Sequence, residues 1–189
     1  TTDGCFGTPP STAKKRVSTF VSEVNRMNSN IDKVLNDGSG VFRMVPTFVP
    51  RRNGAAGRRL RLHPDDYYAL GMKRGAIKER WFTATIPANN GPLAPENEGL
   101  TYVAVDDQAK ERVLFREVVE EGKASVVGET LMKEYGGWPM YSKFFDYNDA
   151  LFHHLHLSFA DAATIGLLGK PEAYYFPLQL NNHPGTFPH

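Results

Sequence analysis

The chain has 189 residues, 41% of them apolar and 23% charged, which is enough for one sizeable core, short of two independent domains, and unlike a disordered chain. Its 22 Lys and Arg stand against 21 Asp and Glu, so a net charge of +1 removes the general electrostatic case for nucleic acid, and no apolar run approaches the roughly 18 residues of a membrane helix. The single cysteine, Cys5, excludes an intrachain disulfide and any cysteine-based zinc motif, while 12% aromatic residues and 13 prolines point to a β-rich, loop-rich fold.

The chain opens on Thr1 rather than Met, so its native N-terminus is expected to have been processed or cut away, and residues 1–10 hold no charged-then-apolar signal pattern. Val17, Phe20, Val21, Val24, Met27, Ile31, Val34 and Leu35 then recur at helical spacing among Lys, Arg, Glu and Asn. This spacing predicts an amphipathic helix, capped by Ser11 or Thr12 and stopped at Asp37-Gly38-Ser39-Gly40. It packs one face on a core and carries no chemistry.

After Gly40 the runs become β-branched and aromatic. Val41-Phe42-Arg43-Met44-Val45 and Thr47-Phe48-Val49 are separated by Pro46 and closed by Pro50. Arg58-Arg59-Leu60-Arg61-Leu62-His63 alternates with period 2, the pattern of a half-buried strand, and residues 81–86, 100–105 and 151–157 read as further strands. Turn clusters such as Pro87-Ala88-Asn89-Asn90-Gly91-Pro92 lie between them. Residues 109–121 and 125–135 read as short helices stopped by Gly122 and by Gly136-Gly137. With no internal repeat and no long linker, the expected organisation is an N-terminal helical segment over 1–40 and one mainly-β domain over 41–189.

Several chemistries lack their motif. There is no G-x-x-x-x-G-K-[ST] loop and no G-x-G-x-x-G, and Gly38-Ser39-Gly40 follows a helix rather than a strand. No G-x-S-x-G elbow is present, and Cys5 sits in a Gly/Pro-rich end, a poor place for a nucleophile. His63-Pro64-Asp65-Asp66 reads as a turn or helix cap rather than a metal pair. Arg51, Arg52, Arg58, Arg59 and Arg61 read as a solvated strand face in preference to a phosphate clamp, and Trp81 and Trp138 as core residues in preference to sugar-stacking ones.

Three of the six histidines fall within Phe152-His153-His154-Leu155-His156-Leu157. On a strand, His154 and His156 share a face about 7 Å apart at roughly 3.4 Å per residue, close enough to converge on one ion, whereas His153 points away. Glu172-Ala173-Tyr174-Tyr175-Phe176 reads as a returning strand that places the carboxylate on the face of two rings. A carboxylate among rings is costly unless it is paired or bound to a metal. Two imidazoles and a carboxylate suit an open catalytic zinc or iron site. Solvent-facing strand histidines are the alternative.

H-x-H followed by a glycine-flanked carboxylate on the next strand resembles the first metal motif of cupins. Gly169-Lys170-Pro171-Glu172-Ala173-Tyr174-Tyr175 resembles, more narrowly, the G-K-P-E segment of class I mannose-6-phosphate isomerases. The resemblance covers about residues 152–175, and residues 45–51 and 59–69 are similar to isomerase-like bacterial cupins. It implies a mainly-β, cupin-like jelly-roll barrel over 41–189 and one divalent transition metal, zinc foremost and iron or manganese also suitable. His154, His156 and Glu172 would be its ligands, His154 standing where the family has Gln, and Lys170 would contact the substrate's anionic group or its proton. The chain departs from the family in following its H-x-H with Leu157-Ser158 rather than Pro-Asp. It also lacks a second P-x-G-x-x-H motif, since Pro184-Gly185-Thr186-Phe187-Pro188-His189 places the glycine one position early.

The function this implies is metal-dependent aldose–ketose isomerisation of a sugar phosphate through a cis-enediol. The alternative is a non-catalytic carbohydrate-binding cupin or an iron-dependent cupin oxygenase. The expected partner is a small sugar or sugar phosphate, with neither nucleic acid nor membrane, a homodimer being compatible with the sequence and the cytoplasm the expected compartment. A barrel would need strands and a fourth ligand beyond the metal motif. The native polypeptide is therefore expected to continue past His189 for on the order of 100 residues, or else His183 or His189 folds back to complete the site.

Overall fold

Pro46 decides how the first β-rich run is used. With no N–H to donate, it cannot sit inside a ladder, and the run divides there between two sheets. In the computed structural model, which describes residues 11–37 and 39–177, Met44–Val45 (β1) pairs antiparallel with Tyr102–Ala104 (β4), which pairs in turn with Arg112–Leu114 (β5). Thr47–Arg51 (β2) pairs instead with Ala76–Trp81 (β3), and β3 with Lys143–Phe145 (β6). The register of β2 shifts between Val49 and Pro50, where the second proline removes a donor. The result is two three-stranded antiparallel sheets, β1-β4-β5 and β2-β3-β6, and they do not close into a barrel among the described residues.

The helices are Ser11–Asp37 (α1), Phe115–Gly122 (α2), Ala124–Val127 (α3), Glu129–Tyr135 (α4) and Phe159–Ala163 (α5). α1 ends at Asp37, as its sequence predicts. Ile31 and Val34 from its last turns enter one core with Val103, Val113, Phe115, Val118, Val119 and Val127, and Trp138 meets Phe115 edge-on at 5.4 Å. A second, smaller core joins Val49, Trp81, Ala84 and Ala88, with Tyr141 stacked on Trp81 at 4.9 Å. No helix among the described residues is long and apolar enough to cross a membrane.

Several expected elements take another form. Residues 58–63 form a bend, a turn and irregular chain rather than a strand, because Arg58 and Arg61 adopt φ of 65° and 54°, which breaks the pleat. This loop is tied down by Asp146, whose carboxylate accepts the Leu60 N–H at 2.8 Å and whose carbonyl accepts the Gly57 N–H at 2.8 Å. The strand expected over 81–86 lies earlier, at Ala76–Trp81, where buried Lys78 and Glu79 mask the apolar period. Residues 109–121 divide into β5 and α2, and 125–135 divide at Gly128, whose φ is 89°. Residues 151–157 and 172–176 are not strands, as no neighbour offers them a ladder among the described residues. Pro64–Tyr68 forms a 3-10 turn capped by His63, whose Nδ1 accepts the Asp65 N–H at 3.3 Å, in agreement with the turn reading of that motif.

Cys5, His183 and His189 lie outside the described residues, as do the side chains of Ser11, Thr12, Val17, Phe20 and Val21. Phe115, 3% exposed, sits where β5 turns into α2 and touches both the sheet side and the helix side of the larger core. Phe115→Ala is expected to cost about 3–5 kcal/mol in urea unfolding. Val41→Ala, at a position 78% exposed, is expected to change stability by less than about 0.5 kcal/mol.

Candidate metal centre

One face of the β2-β3-β6 sheet prepares the ground for the site. Trp81 lies opposite Lys143 and Glu79 opposite Phe145, so these four side chains share a face. Glu79 is 2% exposed and fully engaged. Arg51 donates to its carboxylate from Nε at 2.9 Å and from a terminal nitrogen at 3.2 Å, the Trp81 indole donates at 2.7 Å, and the Tyr147 hydroxyl donates at 2.7 Å. Lys143 Nζ stands 3.8 Å away, with its ammonium 4.2 Å from the centre of the Phe145 ring and 5.3 Å from that of Trp81. Burial pushes the Glu79 carboxyl up, but the Arg51 hydrogen bonds and charge, with Lys143 and Trp81, outweigh it and hold the group below the ordinary range. Burial also lowers Lys143, which feels the charges of Glu79, Lys170 and Glu172.

The candidate ligands come from the segment that follows. α5 is a short turn of helix capped by Ser158, whose Oγ accepts the Asp161 N–H at 3.1 Å, and it is pinned by Ala162, which is fully buried. Beyond it the chain reverses at Gly166, φ 70°, and the Lys170 N–H reaches the Leu157 carbonyl at 3.3 Å, closing the two arms of the loop on each other. Gly169 permits that closure, since a Cβ there would lie 2.6 Å from the Phe159 nitrogen. Two arms held this way bring His156 and Glu172 together without any strand pairing.

The four residues expected from the sequence do meet. His156 Nε2 and Glu172 Oε2 are 2.7 Å apart, and Lys170 Nζ lies 3.0 Å from Glu172 Oε2 and 3.2 Å from His156 Nε2. The His154 ring packs edge-on against that of His156, with centroids 5.0 Å apart. His154 Nδ1 is 2.9 Å from the Phe152 carbonyl, which can only accept, so Nδ1 is the donor there and Nε2 is the nitrogen left for a ligand. One ligand atom from each of His154, His156 and Glu172 falls within 4.8 Å of the others, so the three could hold a metal ion. His153 makes no part of this group. The Glu172 side chain is 15% exposed and that of His156 31%, which leaves the cluster shielded on the carboxylate side and open on the other.

Tyr174 was not singled out as a site residue by sequence reasoning, nor were Glu79 and Lys143. Tyr174 sets its hydroxyl beside Glu172 and stacks on Phe145 at 5.6 Å, which joins the loop to β6. Burial works against ionised Glu172, but hydrogen bonds from Lys170 and Tyr174, with the charges of Lys170 and Lys143, hold it at about 2. Burial and the same carboxylate push Tyr174 up to about 12, so it remains a neutral donor. The signal available in the sequence was the alternation of Tyr141, Lys143 and Phe145, which puts one ammonium between two rings on one face. The arginine cluster divides: Arg52, Arg58 and Arg61 are exposed, whereas Arg51 is committed to Glu79.

Two measurements check this geometry. Gly169→Ala is expected to force the arms apart and speed hydrogen exchange of the Lys170 amide by about tenfold, while Gly137→Ala, with open space around the added methyl, leaves it unchanged. Because the folded pKa of Glu79 is depressed, the stability it contributes is fully present above its unfolded value near 4.5 and is lost as pH falls below that. Glu79→Gln should therefore destabilise the protein by about 3–5 kcal/mol near neutrality and flatten the acid side of the thermal-midpoint profile.

Comparison of the chain with protein-family models, with curated proteins and with solved structures gave no match.

Proposed function

We propose that the chain binds one divalent transition metal through His154, His156 and Glu172 and acts as a metal-dependent aldose–ketose isomerase on a sugar phosphate. In this reading the two sheets belong to a cupin-like jelly roll. The observation that carries it is the convergence of three ligand atoms to within 4.8 Å from positions up to 18 residues apart, beside the Lys170 ammonium. Two imidazoles and a carboxylate form a borderline-soft, three-protein-ligand set that leaves room for a water or a substrate oxygen, which suits zinc first and iron or manganese next.

The residues fit such an ion chemically. The His154 and His156 imidazoles and the Glu172 carboxylate would hold the ion, nitrogen and oxygen donors of the kind zinc takes. Against the cost of burial, the Lys170 contact and the Lys143 charge hold the Glu172 carboxyl well below the ordinary range, which favours the anionic form a metal takes. A bound divalent ion supplies Lewis-acid polarisation to the adjacent oxygens of an open-chain sugar. Lys170, 40% exposed at its side chain, offers an ammonium to the substrate's anionic oxygen. The stacked Tyr174 and Phe145 rings give the neighbouring wall an apolar face.

The same His, His and carboxylate set also serves non-haem iron oxygenases, which makes that the second reading. Elemental analysis of the purified chain is expected to give one transition metal per chain, lost in His156→Ala. The zinc-loaded protein is expected to convert an aldose phosphate to its ketose. Metal binding without isomerisation of any aldose would remove the isomerase assignment, and oxygen consumption with iron(II) would then select the oxygenase over a sugar-binding module. Equal metal content in His156→Ala would remove the metal assignment itself.

A further inference from the structure

Lys170 stands in an unusual relation to the candidate ligands. Its Nζ lies 3.0 Å from Glu172 Oε2 and 3.2 Å from His156 Nε2, atoms that are themselves 2.7 Å apart, so the three form a nearly equilateral triangle. An imidazole nitrogen has one in-plane position for either a proton or a lone pair. That one position on His156 Nε2 serves its contacts with both Glu172 Oε2 and Lys170 Nζ, and it is also the position a metal must take. An ion placed about 2.1 Å from both ligand atoms on the side of the ammonium would fall well inside the non-bonded distance of Nζ. On that side of the cluster the two cations cannot coexist.

We infer that Lys170 and the metal ion compete for His156 Nε2 and Glu172 Oε2, so that loading the site exchanges one cation for another. The inference rests on the metal reading of the preceding subsection and adds a control on that site. In the unloaded arrangement the ammonium neutralises Glu172 and keeps the two arms of the loop together. Metal entry releases it, and the displaced ammonium, still tethered two residues from Glu172, becomes a free donor for an anionic group arriving at the ion. Its side chain is already 40% exposed, so it has somewhere to go.

Zinc affinity of the full chain, measured by titration calorimetry against a competing chelator, tests this. Lys170→Met removes the charge and keeps the length, so it should bind zinc about tenfold more tightly than the unaltered chain, having lost both the competing hydrogen bonds and the repulsion between like charges. Lys170→Arg keeps a cation and should not tighten binding. Equal or weaker binding by folded Lys170→Met overturns the inference. A second measurement needs no variant: labelling of Lys170 by an amine-reactive reagent, read by mass spectrometry, should rise when zinc is added, and a constant or reduced rate overturns the inference. If zinc binds one per chain and is lost in His156→Ala, the metal reading survives either result for Lys170. If neither the unaltered chain nor Lys170→Met binds zinc, both the metal reading and the competition fall.

Discussion

A carboxylate shut away from solvent holds this molecule's site-bearing half in place. Glu79 cannot stay ionised inside a protein unless its lone pairs are occupied, and here Arg51 from β2, Trp81 from its own strand and Tyr147 from just beyond β6 occupy them. Each partner comes from a different part of the sheet, so the demand for satisfaction fixes the relative placement of all three strands. Lys78, also buried, meets the same demand by donating to the Arg51 and Asn53 carbonyls at 2.7 and 2.6 Å. Replacing such groups by apolar ones need not weaken a fold, but removing one partner leaves a buried charge exposed to its full desolvation cost.

The sheet's rings then carry that rigidity outward. Lys143 and Phe145 on β6 share the face of Glu79, Phe145 stacks on Tyr174, and the Tyr174 hydroxyl lies beside Glu172. A loop with little regular structure thus receives its orientation from a sheet edge through one aromatic contact. Inside the loop, order comes from shape. Ser158 caps α5, Ala162 fills the interior, and Gly169 leaves room for the Phe159 backbone. The glycine of the Gly169-Lys170-Pro171-Glu172 string has a steric reason to be there that is independent of chemistry.

The remaining irregular segments are fastened in the same way, by polar groups that must be paired. Asp146 collects the 57–60 loop, and Asn90 with the Arg74–Glu98 ion pair anchors the long connection between β3 and β4 to the Pro50 carbonyl. Prolines shorten the strands and leave much of the chain without a ladder, so side-chain hydrogen bonds do work that backbone pairing does elsewhere.

Local chemistry in the sequence determined α1 over 11–37 from its helical spacing, the His63 turn from Pro64 and its acidic neighbours, and the grouping of His154, His156 and Glu172 from residue type, with Lys170 added by the resemblance of its Gly169-Lys170-Pro171-Glu172 string. These features depend on neighbours a few residues away, or on side chains whose chemistry is plain wherever they lie. Tertiary structure decided the rest. Period 2 in residues 58–63 did not make a strand, because the positive φ of Arg58 and Arg61 and the pull of Asp146, 86 residues from Leu60, prevailed over local preference. The strand at Ala76–Trp81 was hidden by Lys78 and Glu79, whose partners are visible only once β2 and β6 are beside it. His156 and Glu172 meet through a glycine-permitted loop closure rather than a ladder, and Tyr174, Lys143 and Glu79 reach that site only through contacts across the sheet. Spacing along a chain reports which residues can share a face; which face finds a partner is set by packing and by the cost of leaving a buried charge unpaired.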